Sequence, residues 1–475
     1  EPFEPRVAGS AGIYVCGMTP SFHPHLGHAR TFLTFDVLRR HMRNRGFAVT
    51  YVQNVTDIED NIIARAAAEN VPWEDVVARY YGEYKRCAEK LGIAPPDVEP
   101  YATQEIPDIL ELIGELVASD DAYETSDGVY FSVQTFARYS ELSNRDIEEL
   151  RAGARIAKRE EKRDPMDFAL WKKAKPGEPS WPSRFGPGRP GWHIECSAMA
   201  RRYLGDQFDI HGGATDLIFP HHENEVAQTE SVTGKHPMAR FWMHAGLMMV
   251  DGQKMSKSLG NFVPLSDLLE RQSPAAIRYL FLQTGYRKPT NVTDEAMGAA
   301  TEGLRRLYES IDALRSAAAT RPDAATADGL DRTAVEAFDA FLDDDLNTAG
   351  ALGWLQSRIR DERSAAMRGE ASPRAAVALA ERCLAALGLP SALPAQRREL
   401  RLDGASRSRL ATVVGDGAAS MSDVQLVEAV IERRNLARAS KDFAASDELR
   451  NALAGAGIAI KDSKSGTDWS WNGSP

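Results

Sequence analysis

Cys16, Cys196, His221 and Glu225 carry the donor types of a soft-metal site. Cys16 closes the apolar run Gly12-Ile13-Tyr14-Val15-Cys16, and Cys196 lies in Trp192-His193-Ile194-Glu195-Cys196-Ser197. His221 and Glu225 stand four residues apart in Pro220-His221-His222-Glu223-Asn224-Glu225, a spacing that puts both on one helix face. Two thiolates, an imidazole and a carboxylate suit tetrahedral zinc, and the carboxylate can yield a position to an incoming thiolate. Taken singly, each has a plainer explanation: small buried cysteines and a hydrogen-bonded core histidine. Adjacent His222, Glu223 and Asn224 also leave the register of the set open.

A second chemistry is written in His25-Leu26-Gly27-His28, where a loop turns into a helix. Both imidazoles share the helix N-terminus, where free N–H groups and the dipole favour an anion such as a phosphate, and Gly27 leaves room for a flat base. Lys254-Met255-Ser256-Lys257-Ser258, between Gly252 and Gly260, is a loop bearing two ammonium groups that can clamp a polyphosphate. Alone, the first pair reads as solvated histidines and the second as a charged surface loop.

The elements that must position these groups follow from the apolar pattern. Residues 12–16 and 49–53 predict strands flanking a helix from Leu26 to Asn44, with a further helix from about Ile58: a parallel crossover unit whose ligand edge is the strands' C-terminal end. Residues 105–188 interrupt this rhythm with helical segments and a small hairpin near Val129-Tyr130-Phe131. Strand and helix signals resume in Trp192–Tyr203, Phe208–His211, Pro220–Thr233 and Gly246–Val250. From about Glu295 the chain turns rich in Ala, Leu, Arg and Glu with helical periodicity, broken near 320–328 and 390–394. A helical stretch from Ser408 through Arg450 and a strand-like Gly457–Ile460 then precede a polar tail with Trp469 and Trp471.

Composition narrows the class. With 475 residues, 43% hydrophobic and 26% charged, the chain is a multidomain globular protein. No apolar run reaches membrane-spanning length. The net charge of −11 disfavours nonspecific nucleic-acid binding and confines any such partner to local basic patches. Four cysteines (Cys16, Cys87, Cys196, Cys383) are too few for a disulfide framework, so metal ligation or burial is expected. The start, Glu1-Pro2-Phe3-Glu4-Pro5, has neither an initiator Met nor a signal pattern; a cytoplasmic chain that begins inside a longer protein is the expectation.

The two nucleotide motifs, in this order around a split parallel sheet, resemble the paired signatures of class I aminoacyl-tRNA synthetases. Tyr14–Gly17, Gly191–Ser197, Asp209–Gly213 and Phe219–Glu225 resemble, more narrowly, the cysteinyl-tRNA synthetase family, and the similarity runs over nearly the whole chain. That resemblance implies an α/β fold: a Rossmann-like parallel-sheet catalytic domain (1–105 and 189–250) split by a connective insertion (106–188). It continues with the lysine loop and stem-contact region (251–308), an α-helical bundle (309–400) and a small C-terminal anticodon-recognition domain (405–475). It implies zinc on Cys16, Cys196, His221 and Glu225, and ATP with Mg²⁺ on His25, Gly27, His28, Lys254 and Lys257. L-cysteine is placed near Thr56, Trp192 and Asp216, and tRNA(Cys) at Arg438, Asp447, Arg450 and Asp462. Thr56 would otherwise cap the following helix, Trp192 would be core, and the four C-terminal residues would be ordinary surface charges. The run Arg151–Arg163 is a candidate acceptor-stem contact or a solvated face. A monomer is expected.

Softness is the implied basis of selection: sulfur for oxygen changes a shape-only fit by only about 1–3 kcal/mol, whereas a hydroxyl is a far poorer zinc ligand. The chain departs from the usual family pattern in Met18-Thr19-Pro20-Ser21-Phe22 and at Asn61, Ala214 and Ala245. Two rivals are a mycothiol-type cysteine ligase, expected to lack a full anticodon-binding tail, and a catalytically silent zinc- or tRNA-binding paralogue, expected to have lost a signature motif.

Overall fold

The computed structural model describes residues 2–146, 161–254, 262–320, 330–393, 402–415, 417–463 and 466–471. The chain divides into two compact units, 1–391 and 392–475. Residues 151–160 of the run Arg151–Arg163 lie outside the described residues, as do Lys257 and all but the first residue of the predicted break at 320–328.

The first unit begins with strand β1 (Ser10–Met18), helix α1 (Leu26–Asn44) and strand β2 (Ala48–Val55), which pairs parallel to β1. Helices α2 (Asp60–Glu69) and α3 (Trp73–Lys90) follow; Glu59, not Thr56, caps α2, its side chain accepting from the Asn61 N–H. After α4 (Ile106–Ala118), the insertion builds more than the expected hairpin. Its strands β3 (Ala122–Glu124), β4 (Gly128–Phe131), β5 (Phe168–Lys173) and β6 (Gly188–Pro190) form one antiparallel sheet in that order. The strands β5 and β6 left little apolar signal: β5 buries Phe168, Leu170 and Trp171, and the buried face of β6 is Gly188, Arg189 and Pro190.

Helix α5 (Trp192–Leu204) leads back to the parallel sheet through β7 (Phe208–Ala214), α6 (Glu223–Thr233) and β8 (Ala239–Ala245), giving the order β2-β1-β7-β8. Here the strand expected at Gly246–Val250 is corrected. The fourth parallel strand is Ala239–Ala245, while β9 (Met248–Val250) joins β10 (Gln253–Lys254) and β11 (Thr290–Val292) in a separate small sheet. As an edge strand, β8 is mostly half-buried, so Ala-Arg-Phe-Trp-Met-His-Ala carries no continuous apolar run. One core joins sheet and insertion: Tyr14, Val52, Ile113, Phe131, Trp171, Ile194 and Met199 are packed together out of solvent.

The helix α1 is held along its length. Asp36, buried at its middle, accepts from Arg39 and Arg40 of the same helix and from Arg278 of helix Pro274–Leu282. Nearer its C-terminus, His41 and Arg45 pair with Asp343. Helices Asp294–Thr320, Arg332–Asp343, Thr348–Arg368 and Pro373–Leu387 form the bundle. Leu304, Leu307, Ile311 and Leu314 recur at helical spacing on its buried face. Asp331, Asn347 and Ser372 cap three of these helices.

In the second unit, the helical stretch from Ser408 resolves into Gly404–Val414, Asp423–Ala439 and Phe443–Gly455. Strands β12 (Ile458–Ser463) and β13 (Gly466–Trp471) then form an antiparallel hairpin, so the expected polar tail is a strand through Trp471. Leu410, Leu426, Val430, Leu453 and Ile458 make this unit's core.

Candidate active site

A cleft of ≈320 Å³ opens at the C-terminal ends of β1, β2 and β7. Its wall includes Cys16, His25, Gly27, His28, Thr56, Trp192, Cys196, Asp216 and His221. The fold thus brings the histidine pair and three of the four metal-type donors to one cleft. A second cleft, ≈370 Å³, lies at the opposite, N-terminal ends of these strands and holds none of these residues.

On the nucleotide side, the two histidines build the helix cap. The Gly27 N–H donates to His25 Nδ1 (3.0 Å), the His25 N–H donates to His28 Nδ1 (3.2 Å), and the rings stack 3.9 Å apart. Because Nδ1 accepts in both, each neutral ring carries its proton on Nε2, the donor form a phosphate oxygen requires. Gly27 lines the cleft, and a Cβ there would also meet the His25 ring at 2.8 Å. Lys254 ends β10; its side chain and Lys257 lie outside the described set.

The metal-type donors converge on the other side. Cys16 Sγ is 3.6 Å from Cys196 Sγ and 3.4 Å from Glu225 Oε1, and His221 Nε2 is 3.2 Å from the same oxygen. All four residues are buried. Bonds of about 2.0–2.3 Å to a tetrahedral ion imply ligand–ligand edges of about 3.3–3.8 Å, close to these separations. Burial, then Cys196 and Glu225, push the Cys16 thiol up, so the donor cluster lacks a cation among its own side chains. Burial, followed by His193 and His211, pushes His221 well below the ordinary histidine range, which keeps its imidazole neutral for ligation. The donor chemistry fits zinc.

Sequence reasoning missed the histidines that surround this set. His211 Nε2 lies 2.8 Å from Glu225 Oε2, leaving Oε1 to face Cys16 and His221. His193 Nδ1 meets His221 Nδ1 at 2.9 Å, which aims His221 Nε2 at the other donors. Cys16, His211, His222 and Glu225 form an alternative donor group. It has one sulfur rather than two, the poorer match to a soft ion. The signal available was the density of histidines in Trp192–Cys196 and Asp209–His222.

Around the substrate space, Thr56 is 2% exposed and its hydroxyl accepts from Asn54 Nδ2 (3.2 Å). Trp192 is 38% exposed and lies over His221, ring centroids 4.4 Å apart, so it is not core. Asp216 stands exposed at the cleft wall. In the second unit, Asp447 and Arg450 are exposed on one helix, whereas Asp462 accepts from Arg434 (2.8 Å), Arg438 (2.5 Å) and Thr467 (2.8 Å). Its carboxylate therefore ties the hairpin to helix Asp423–Ala439.

The parallel sheet with its split halves and the histidine-capped cleft define a class I aminoacyl-tRNA synthetase core. A family model described as the class I (C) tRNA synthetase catalytic domain matches residues 2–302, and one described as the cysteinyl-tRNA ligase anticodon binding domain matches 425–469. The structure of Mycobacterium tuberculosis methionyl-tRNA synthetase in complex with methionyl-adenylate superposes with a TM-score of 0.60 at 16% identity, covering 88% of this chain and 96% of that one, a likeness of fold. Cysteine–tRNA ligase of Geobacter sulfurreducens is 43% identical over 482 residues (99% of this chain, 97% of its own), and that of Thioalkalivibrio sulfidiphilus is 44% identical over 476 residues with the same coverages. The chain belongs to the cysteine–tRNA ligase family. No helix among the described residues is long and apolar enough to cross a membrane.

Proposed function

We propose that this chain activates L-cysteine with ATP and Mg²⁺ to cysteinyl-AMP, then transfers the cysteinyl group to the 3′ end of tRNA(Cys). The observation that carries this reading is the single cleft joining a histidine-capped helix N-terminus to a two-sulfur, one-nitrogen, one-oxygen donor set. Cys16, Cys196, His221 and Glu225 would hold zinc, which when bound supplies a soft acceptor for the substrate's sulfur and so distinguishes it from a hydroxyl.

The protein's own residues do the rest. Trp192 walls the amino-acid space beside His221, Thr56 lines it, and Asp216 offers a carboxylate to the substrate ammonium. The carboxylate of cysteine attacks the ATP α-phosphorus, and pyrophosphate departs. His25 and His28 donate from Nε2 to phosphate oxygens as charge builds, and Lys254 and Lys257 stabilise the leaving pyrophosphate. A terminal ribose hydroxyl of the tRNA then displaces AMP. The helices of 309–400 and the domain at 405–475 grip the anticodon arm, with Arg438, Asp447 and Arg450 as base-reading positions and Asp462 acting through the arginines it holds.

The match over 425–469 to an anticodon-binding model disfavours the amino-sugar cysteine ligase, expected to lack that tail. A cytoplasmic monomer is the setting this reading implies. Cysteine-dependent ATP–pyrophosphate exchange, followed by charging of tRNA(Cys) transcript, tests it: exchange without charging, or release of AMP driven by an amino sugar, overturns it.

A further inference from the structure

One carboxylate ties the loop ahead of the histidine motif to the chain that follows the lysine segment. Glu83, on α3 with its side chain 13% exposed, accepts from His23 Nδ1 at 2.7 Å through Oε2 and from the Ser266 hydroxyl at 2.8 Å through Oε1. His23 stands two residues before the cap residue His25. Ser266 lies in the first turn of helix Leu265–Arg271.

Between these anchors, the two segments are stitched together. The Leu265 N–H donates to the Pro24 carbonyl (2.8 Å), and His25 pairs with Pro264 in an isolated antiparallel bridge. Phe262, which lines the cleft, packs edge-on against both His25 (5.5 Å) and Phe22 (5.3 Å). The nucleotide wall therefore has two sides, the His25 cap and Phe262, and their separation is set by a seam only a few residues long. Glu83 itself is not part of that wall.

We infer that Glu83 is a positioning residue for ATP: by bridging His23 and Ser266 it fixes the spacing between the histidine cap and Phe262. The inference rests on the adenylation reading above for its substrate. It needs no contact between Glu83 and the nucleotide, so its signature is selective. ATP recognition should suffer, whereas the amino-acid side, across the cleft, should not.

The test compares wild type with E83A, E83Q and S266A in cysteine-dependent ATP–pyrophosphate exchange, with zinc content measured and ATP binding followed by calorimetry. E83A should raise both the KM and the Kd for ATP by roughly three- to tenfold, with the cysteine KM unchanged within about twofold. S266A, at a partly exposed hydroxyl, should shift the ATP constants in the same direction. E83Q should restore them, because an amide can donate to His23 while accepting from Ser266. Unchanged ATP constants in both E83A and S266A would overturn the inference. So would a parallel rise in the ATP and cysteine constants that E83Q fails to rescue, which is what general loosening of the fold produces. A wild-type protein that binds ATP but shows no cysteine-dependent exchange would sink the functional reading instead, and the ATP Kd of the variants would still decide the role of Glu83.

Discussion

Replacing Asp36 by Asn should loosen the helix that presents His25 and His28. Asp36 is 1% exposed and accepts from Arg39 (2.9 Å), Arg40 (2.8 Å), Arg278 (2.5 Å) and the Ala94 N–H (3.1 Å). Arg278 is equally buried and spends its other donors on the Leu387 and Leu91 carbonyls, so it cannot turn to water. An asparagine keeps one acceptor but strands that guanidinium without a counter-charge, an event that costs about 3–5 kcal/mol. With unfolding entropies near 2.1 cal/mol/K per residue, a unit of this size should melt about 4–6 °C lower. Scanning calorimetry of wild type and D36N at neutral pH measures this. The pH dependence is a second reading. Burial alone would raise the Asp36 pKa, but the Arg278 and Arg40 charges outweigh it and hold the carboxyl at about 2, against an ordinary 3.8. A depressed carboxylate contributes stability above its unfolded pKa and loses it as pH falls through the folded one, here about 2 kcal/mol between roughly pH 4 and pH 2. The gap between wild type and D36N should hold above pH 4 and shrink below it. A D36N melting point within about 1 °C of wild type would refute the argument, as would a gap that widens in acid.

The other expectations are shorter. H211N should weaken zinc binding roughly 10–100-fold while the protein stays folded, because Glu225 loses the partner that orients its second oxygen; competition with a chromophoric chelator measures it, and unchanged affinity would count against that role. H28A should lower cysteine-dependent exchange by about 10²-fold or more at unchanged zinc content, so a variant with normal exchange contradicts the phosphate role. D462N, by releasing Arg434 and Arg438, should raise the KM for tRNA in charging and leave pyrophosphate exchange intact; equal effects on both would place Asp462 in general folding rather than the tRNA grip.

Much of this organisation was legible because the relevant signals were local. The strand–helix–strand opening could be read from apolar runs and the helix start at Leu26, whereas residues 16, 196, 221 and 225 offered donor types whose register stayed open and which only the family resemblance joined into one set. What escaped was whatever depended on the third dimension. The edge strand Ala239–Ala245 lacks a fully buried face, and β5 joins the first unit's core through Phe168, Leu170 and Trp171. The support of Glu225 by His211, and of His221 by His193, joins residues 14 and 28 positions apart that no periodicity connects. That the ring of His25 also crowds the position of a Cβ at Gly27 could not be read from the motif either. Trp469 and Trp471 looked like a tail because their partner strand is needed before the alternation has a buried side.

The most direct test is metal content and substrate choice measured on one preparation. Active protein should carry about one zinc per chain, lose cysteine-dependent pyrophosphate exchange when the metal is stripped, regain it on zinc addition, and use serine at least about 10³-fold less efficiently, beyond what a shape-only pocket achieves. Full exchange by metal-free protein, or serine accepted nearly as well as cysteine, would contradict the proposed role of Cys16, Cys196, His221 and Glu225.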